Sequence, residues 1–181
     1  MIVSLTAVSL TMSCSIADTR AKAASPNEIC TFRKLEILPT DQINFTRFLG
    51  RGNNIAIEFK ADFGKETDVF SEPPTVVNRS TAKSCNIEED GIWLRREVYI
   101  SADESYLLSN QYSGSWEALV VYDTGTCARL GEMKLSHRLV GIDRSTVSVE
   151  TDCAAGGSPQ PDSCTRKFSV TFDRHCVPRR K

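Results

Sequence analysis

Between Ile92 and Leu135, strand-like runs follow one another with only turn chemistry between them: Ile92 to Ile100 (IWLRREVYI), Ser105 to Asn110 (SYLLSN), Trp116 to Tyr122 (WEALVVY) and Ala128 to Leu135 (ARLGEMKL). The separators are Ala102-Asp103-Glu104, Tyr112-Ser113-Gly114-Ser115 and Thr124-Gly125-Thr126, short and rich in turn formers. A chain that reverses this often pairs its neighbouring runs antiparallel, so the stretch predicts a β-meander. Ile55 to Lys60 (IAIEFK) alternates apolar with other residues and reads as a further strand, as do Leu139 to Ile142, Thr146 to Glu150 and Phe168 to Phe172. No segment sustains a 3.6-residue apolar period. The expected fold is all-β, an antiparallel meander forming a sandwich or open barrel and stabilised by disulfides.

Ser101-Ala102-Asp103-Glu104-Ser105-Tyr106-Leu107-Leu108 followed by Val121-Tyr122-Asp123-Thr124-Gly125 resembles one blade of a WD40-type β-propeller. The resemblance implies propeller-blade-like sheets as the alternative architecture. No second copy at a period of about 40–45 residues is evident upstream, and no function transfers from a single blade.

Upstream the reading is less regular. Cys30 to Leu38 is strand-like and ends at Pro39. Asp41 to Phe48 fits one helical turn or a strand. Gly64 to Cys85, with Pro73-Pro74 and several Ser and Thr, reads as a long connection.

Ile2 to Met12 is an uncharged run of eleven residues, too short to cross a hydrocarbon core as a helix. It suits the apolar region of a secretory signal, with Ser15-Ile16-Ala17 or Ala21-Lys22-Ala23 as cleavage sites, although no Lys or Arg precedes it. A buried N-terminal strand is the competing reading. The expected organisation is a signal over 1–17, or up to 23, a tether over 18–27 and one β-rich domain over 28–181. Export to the periplasm or the extracellular space follows.

The cysteines agree. Of seven, Cys14 falls within the signal, leaving Cys30, Cys85, Cys127, Cys153, Cys164 and Cys176 for three disulfides. Leu10-Thr11-Met12-Ser13-Cys14 loosely resembles a bacterial lipobox, which makes Cys14 a candidate lipid anchor; a plain cysteine in a discarded signal is the alternative. One pairing is expected outright. Ser145 to Cys153 and Cys164 to Phe172 flank Ala154 to Ser163 (AAGGSPQPDS), so folding back about that loop sets Cys153 opposite Cys164. It also sets Val149 opposite Phe168 and Val147 opposite Val170. Pairing of Cys164 with Cys176 competes.

Catalytic chemistry has little to stand on. A net charge of −1 gives no global field toward nucleic acid. C-x-x-C pairs, H-E-x-x-H, G-x-S-x-G and phosphate-binding glycine loops do not occur, so no metal or cofactor is expected. A triad assembled around His137 or His175 is the enzymatic alternative, in a small exported hydrolase. Glu88-Glu89-Asp90 and Asp103-Glu104 read as solvated acidic loops. Asn44-Phe45-Thr46 and Asn78-Arg79-Ser80 are glycosylation sequons that matter only in a eukaryote.

Recognition fits better. Tyr112 and Trp116 bracket small, adaptable residues, the composition of contact surfaces, although a Trp116 that opens a strand and faces the core is the competing reading. Arg166, Lys167, Arg174, Arg179, Arg180 and Lys181 make the C-terminal end basic, as a solvated tail or a site for an anionic polymer or acidic partner surface. The function expected is an exported non-catalytic binding protein with a protein partner, of inhibitor, immunity or accessory type in a bacterial envelope. A structural or adhesive surface module is a further alternative.

Overall fold

The computed structural model describes residues 30–61, 65–88, 91–113, 116–135, 138–143, 146–150 and 165–181. These residues contain fifteen strands and no helix. In chain order they are β1 (Phe32–Lys34), β2 (Ile37–Pro39), β3 (Arg47–Arg51), β4 (Ile55–Lys60), β5 (Val69–Phe70), β6 (Thr75–Asn78), β7 (Ser84–Asn86) and β8 (Ile92–Ser101). There follow β9 (Tyr106–Ser113), β10 (Trp116–Asp123), β11 (Arg129–Leu135), β12 (Leu139–Asp143), β13 (Thr146–Glu150), β14 (Thr165–Phe172) and β15 (Pro178–Arg180).

All pairings are antiparallel and fall into three sheets: five strands in the order β2-β3-β4-β6-β7, six in the order β1-β8-β9-β10-β11 with β5 also on β8, and four in the order β12-β13-β14-β15. The expected meander is the path β8 to β11, and each sheet follows the chain nearly in sequence. The sheets form sandwich layers and no closed barrel.

Two hydrophobic clusters show how the layers stack. The first joins Phe48, Ile57, Phe59 and Val76 of the five-stranded sheet to Trp93, Leu107, Ala118, Val120 and Tyr122. The second joins Leu139, Val147, Val149 and Val170 of the four-stranded sheet to Tyr99, Leu108, Leu119 and Val121. Consecutive residues of β8, β9 and β10 therefore enter opposite cores, and the six-stranded sheet is the filling of a three-layer sandwich. This is why Ala118 to Tyr122 is apolar without alternation: a strand covered on both faces has no solvent side. Aromatic rings line the first core. Phe59 stacks on Phe70 at 4.5 Å, Trp93 lies 5.9 Å from Phe59 and 5.6 Å from Tyr122, and the Tyr122 hydroxyl receives a bond from Gln111 Nε2 at 2.6 Å.

Each outer sheet is stapled once to the middle one. Cys85 in β7 bonds to Cys127 in the turn after β10, and Cys30, just before β1, bonds to Cys176 in the turn between β14 and β15. The competing Cys164–Cys176 pairing is thereby excluded.

Several expectations need correcting. Cys30 to Leu38 is two strands in different sheets, because the chain crosses layers at Leu35-Glu36. Asp41 to Phe48 holds a turn and then β3. The Asp41 carboxylate accepts from the amides of Ile43 and Asn44, and its carbonyl accepts from the amide of Phe45, before the chain straightens at Arg47. The supposed long connection from Gly64 contains β5 and β6 and reaches β7. Pro73-Pro74 separates Val69-Phe70, which pair with β8, from Thr75 to Asn78, which pair with β4. Proline is suited to that crossing because it cannot extend a ladder on both sides.

The β13–β14 hairpin forms, but two residues out of the expected register. Val147 lies opposite Phe168 and Val149 opposite Arg166. An even shift keeps the same faces inward, so Val147, Val149 and Val170 remain buried and hydrophobic patterning does not discriminate between the two registers. Cys153 and Cys164 lie outside the described residues.

The basic C-terminal end is no free tail. Residues 178–180 form β15 on β14, Arg179 reaches the Asp173 carboxylate at 3.3 Å, and Arg180 lies over the Phe168 ring at 4.9 Å.

Candidate functional site

The β9–β10 hairpin carries the residues singled out for recognition. Its register pairs Trp116 with Ser113 and Glu117 with Tyr112. Directly opposed residues share a face and successive residues alternate, so Tyr112 and Trp116 point to opposite sides of the hairpin. Tyr112 continues the row of Leu108 and Asn110 on the side of the four-stranded sheet. Trp116 continues the row of Ala118 and Val120 on the side of the five-stranded sheet. Both residues are 38% exposed. Trp116 thus opens a strand, as the core reading supposed, yet stands clear of the core, because the covering sheet reaches only as far as Ala118. Gly114 and Ser115 lie outside the described residues. What remains is a short finger, flanked by β8 as far as Tyr112 and by β11 as far as Glu117, with one aromatic ring on each face of the sheet.

The finger is held at its base. Gln111 is tied to Tyr122, and Glu117 Oε2 accepts from the amide of Leu139 at 3.1 Å, which joins β10 to the start of β12. Rigid anchoring of two large rings limits the entropy lost when a partner packs on them.

The histidines offer no comparable arrangement. His175 sits exposed in the β14–β15 turn, and its Nε2 accepts from Arg174 Nε at 3.0 Å. Asp173 faces the His175 amide instead of the ring: its carboxylate accepts from the amides of His175 and Val177, fixing the turn that presents Cys176. His137 lies outside the described residues, as does Cys14. Asn44 and Asn78 are both engaged locally, Asn44 with Asp41 and Asn78 with Ser80 and Thr81.

Of the acidic pair Asp103-Glu104, Asp103 is exposed as expected of a solvated loop, but Glu104 is not. Glu104 is 4% exposed, and its carboxylate accepts from the amides of Asn53 (2.6 Å), Asn54 (2.7 Å) and Ile55 (3.3 Å) and from Arg33 Nη2 (3.0 Å). Burial pushes its pKa up, but these bonds outweigh burial and hold the carboxyl below its usual range. Gly52 permits the approach: a Cβ there would come within 2.6 Å of Oε1. The carbonyl of Glu104 accepts from Thr124 Oγ1 at 2.7 Å. A carboxylate in the β8–β9 turn therefore organises the β3–β4 loop of the neighbouring sheet. Its sequence signal, an acid in a turn, is the same as that of a solvated residue. The amide donors it needs come from residues some fifty positions away.

Comparison with known proteins decides the class. Residues 30–176 match the family described as immune protein Tsi1. The chain belongs to the Tsi1 immune-protein family. The matched span runs from one member of the Cys30–Cys176 disulfide to the other, so it takes in all three sheets of this chain apart from the last strand. The immune protein Tsi1 of Pseudomonas aeruginosa is 28% identical over 155 residues, covering 84% of this chain and 88% of the relative. Membership makes this an immunity-type protein, the non-catalytic class that the sequence favours.

Proposed function

We propose that the chain is an exported immunity protein of the bacterial envelope that binds a secreted enzyme and occludes it, with the β9–β10 finger as its contact element. The family match carries the immunity role. Two disulfides that staple separate layers support an oxidising compartment, where such bonds persist. The exposure of Trp116 and Tyr112 on a hairpin anchored at its base supports the site: a two-sided finger fits into a cleft, where both rings are desolvated together. The test is capture of secreted proteins of the source organism on the pure chain starting near Asp18, followed by titration of each captured enzyme. Activity falling to zero at one equivalent is the expected result; a captured enzyme that stays active when saturated contradicts occlusion.

Export carries a second expectation. With Cys30, Cys85, Cys127 and Cys176 already paired, a chain lacking Cys14 has only Cys153 and Cys164 left, and they bond to each other. Non-reducing peptide mapping should find that crosslink and no alkylatable thiol. A peptide joining Cys164 to any other residue, or two labelled thiols, defeats it.

A further inference from the structure

The charge of the chain is unevenly spread. Its side chains sum to −1, yet residues 165–181 hold six Lys or Arg and a single acid, Asp173. These residues form the β14–β15 hairpin of the outer four-stranded sheet. Val170 is buried, so Lys167, Ser169 and Thr171, each an odd number of residues away, turn outward. Arg179 lies opposite Thr171, and the amide of Lys181 donates to the carbonyl of Ser169 at 3.3 Å. Lys167, Arg179 and Lys181 therefore share one open face, with hydroxyl side chains between them.

The free part of this charge is the part that counts. Arg179 is offset by Asp173 at 3.3 Å. Lys167, Arg174, Arg180 and Lys181 are exposed, and among the described residues none of them is in an ion pair. Arg174 bonds to the His175 ring and Arg180 lies over the Phe168 ring, contacts that leave both charges uncompensated. Asp143, an acid on the same face, sits on β12, two strands and about 10 Å from β14.

The hairpin's turn lies at the end of the molecule away from the finger. β8 runs from Ile92, opposite Tyr112, to Ser101, opposite Phe32, about 30 Å of strand. At the Phe32 end the Phe32 and Phe172 rings meet at 5.5 Å, and Cys30 is bonded to Cys176. The chain thus enters the described fold at this hairpin, and the uncharged run Ile2 to Met12 and the candidate anchor Cys14 are joined to the fold here.

We infer that the β14–β15 hairpin docks on a bilayer surface that carries anionic phospholipids, leaving the finger free at the other end. Charge complementarity is the driving term: each Lys or Arg near such a surface strengthens partitioning about fivefold. Cations on long stems over an open sheet face suit a plane of head groups, which asks for no shaped pocket. A single acyl chain holds a protein only marginally, and a basic patch beside it is the second signal that makes the attachment stable. Lipid at Cys14 and the hairpin would act from the same end of the molecule. The inference goes beyond the immunity reading and does not depend on it.

The test is co-sedimentation of the full chain with vesicles of phosphatidylcholine alone and with vesicles in which about one-third of the lipid is phosphatidylglycerol. Binding should be stronger to the anionic vesicles and should fall as salt rises. Lys167→Gln/Lys181→Gln should weaken that binding about 30-fold. Both residues are exposed and unpaired, so melting should not change. Lys167→Arg/Lys181→Arg should bind as wild type does. The apolar run over residues 2–12 is the same in every variant, so the comparison isolates the hairpin's charge. Equal binding to the two kinds of vesicle, or unchanged affinity in the glutamine variant, overturns the inference. Absent vesicle binding together with weakened affinity for the captured enzyme in the glutamine variant would assign the hairpin to the enzyme interface and overturn it as well. Capture and inhibition of the enzyme are read without lipid, so failure here leaves the immunity reading standing.

Discussion

Replacing Glu104 by alanine is expected to destabilise the fold by about 4 kcal/mol or more in chemical denaturation near neutral pH. Three amide donors at Asn53, Asn54 and Ile55 and the Arg33 guanidinium converge on this one carboxylate. Truncation leaves the buried Ile55 amide, the part-buried amides of Asn53 and Asn54 and the half-exposed Arg33 guanidinium without their acceptor, and an unpaired buried donor costs about 1–3 kcal/mol. The effect also depends on pH. Because the folded-state pKa lies below the ordinary value, the stabilisation is fully present above the unfolded-state pKa of about 4.3 and disappears as pH falls through the folded value. Wild type should therefore lose stability on acidification through that window, and Glu104→Ala should lose less over the same range. A loss below about 1 kcal/mol at neutral pH, typical of a surface substitution, would show that the β3–β4 loop does not depend on this carboxylate.

Removing the disulfides should have effects of similar size, each confined to its own layer. The Cys30–Cys176 bond spans 146 residues and the Cys85–Cys127 bond 42. On the chain-entropy model these correspond to about 5 and about 4 kcal/mol. The location of the loosening is the more specific expectation. In a Cys85→Ser/Cys127→Ser variant, amide exchange should accelerate first in β6 and β7, and in a Cys30→Ser/Cys176→Ser variant in β14 and β15. Acceleration spread evenly over all three sheets in both variants would contradict the picture of two independently stapled outer layers.

These consequences were legible in the sequence to different degrees. β8 to β11 and β4 stand out because apolar runs of strand length are bounded by turn residues, a local signal. The unbroken apolar run at Ala118 to Tyr122 also holds the clue that its sheet is covered twice. The short strands β5, β6 and β15 escape such a reading, since two to four residues carry no periodicity and their pairing depends on distant partners. The disulfide pairs are likewise non-local: Cys30 and Cys176 meet only because β1 and the β14–β15 turn lie on neighbouring layers. In the finger, composition pointed to Tyr112 and Trp116. Their placement on opposite faces follows only from the hairpin register, which the turn sequence did not fix.

The most direct measurement of the account is the affinity and melting temperature of Trp116→Ala, side by side with wild type, against the captured enzyme. The residue is 38% exposed and outside both hydrophobic clusters, so melting should be nearly unchanged. Binding should weaken about 30-fold or more, the loss of a central aromatic contact. Unchanged affinity in a normally folded variant would contradict the finger as the contact element, and a loss of about 3–5 kcal/mol in stability would show Trp116 to be part of the core after all.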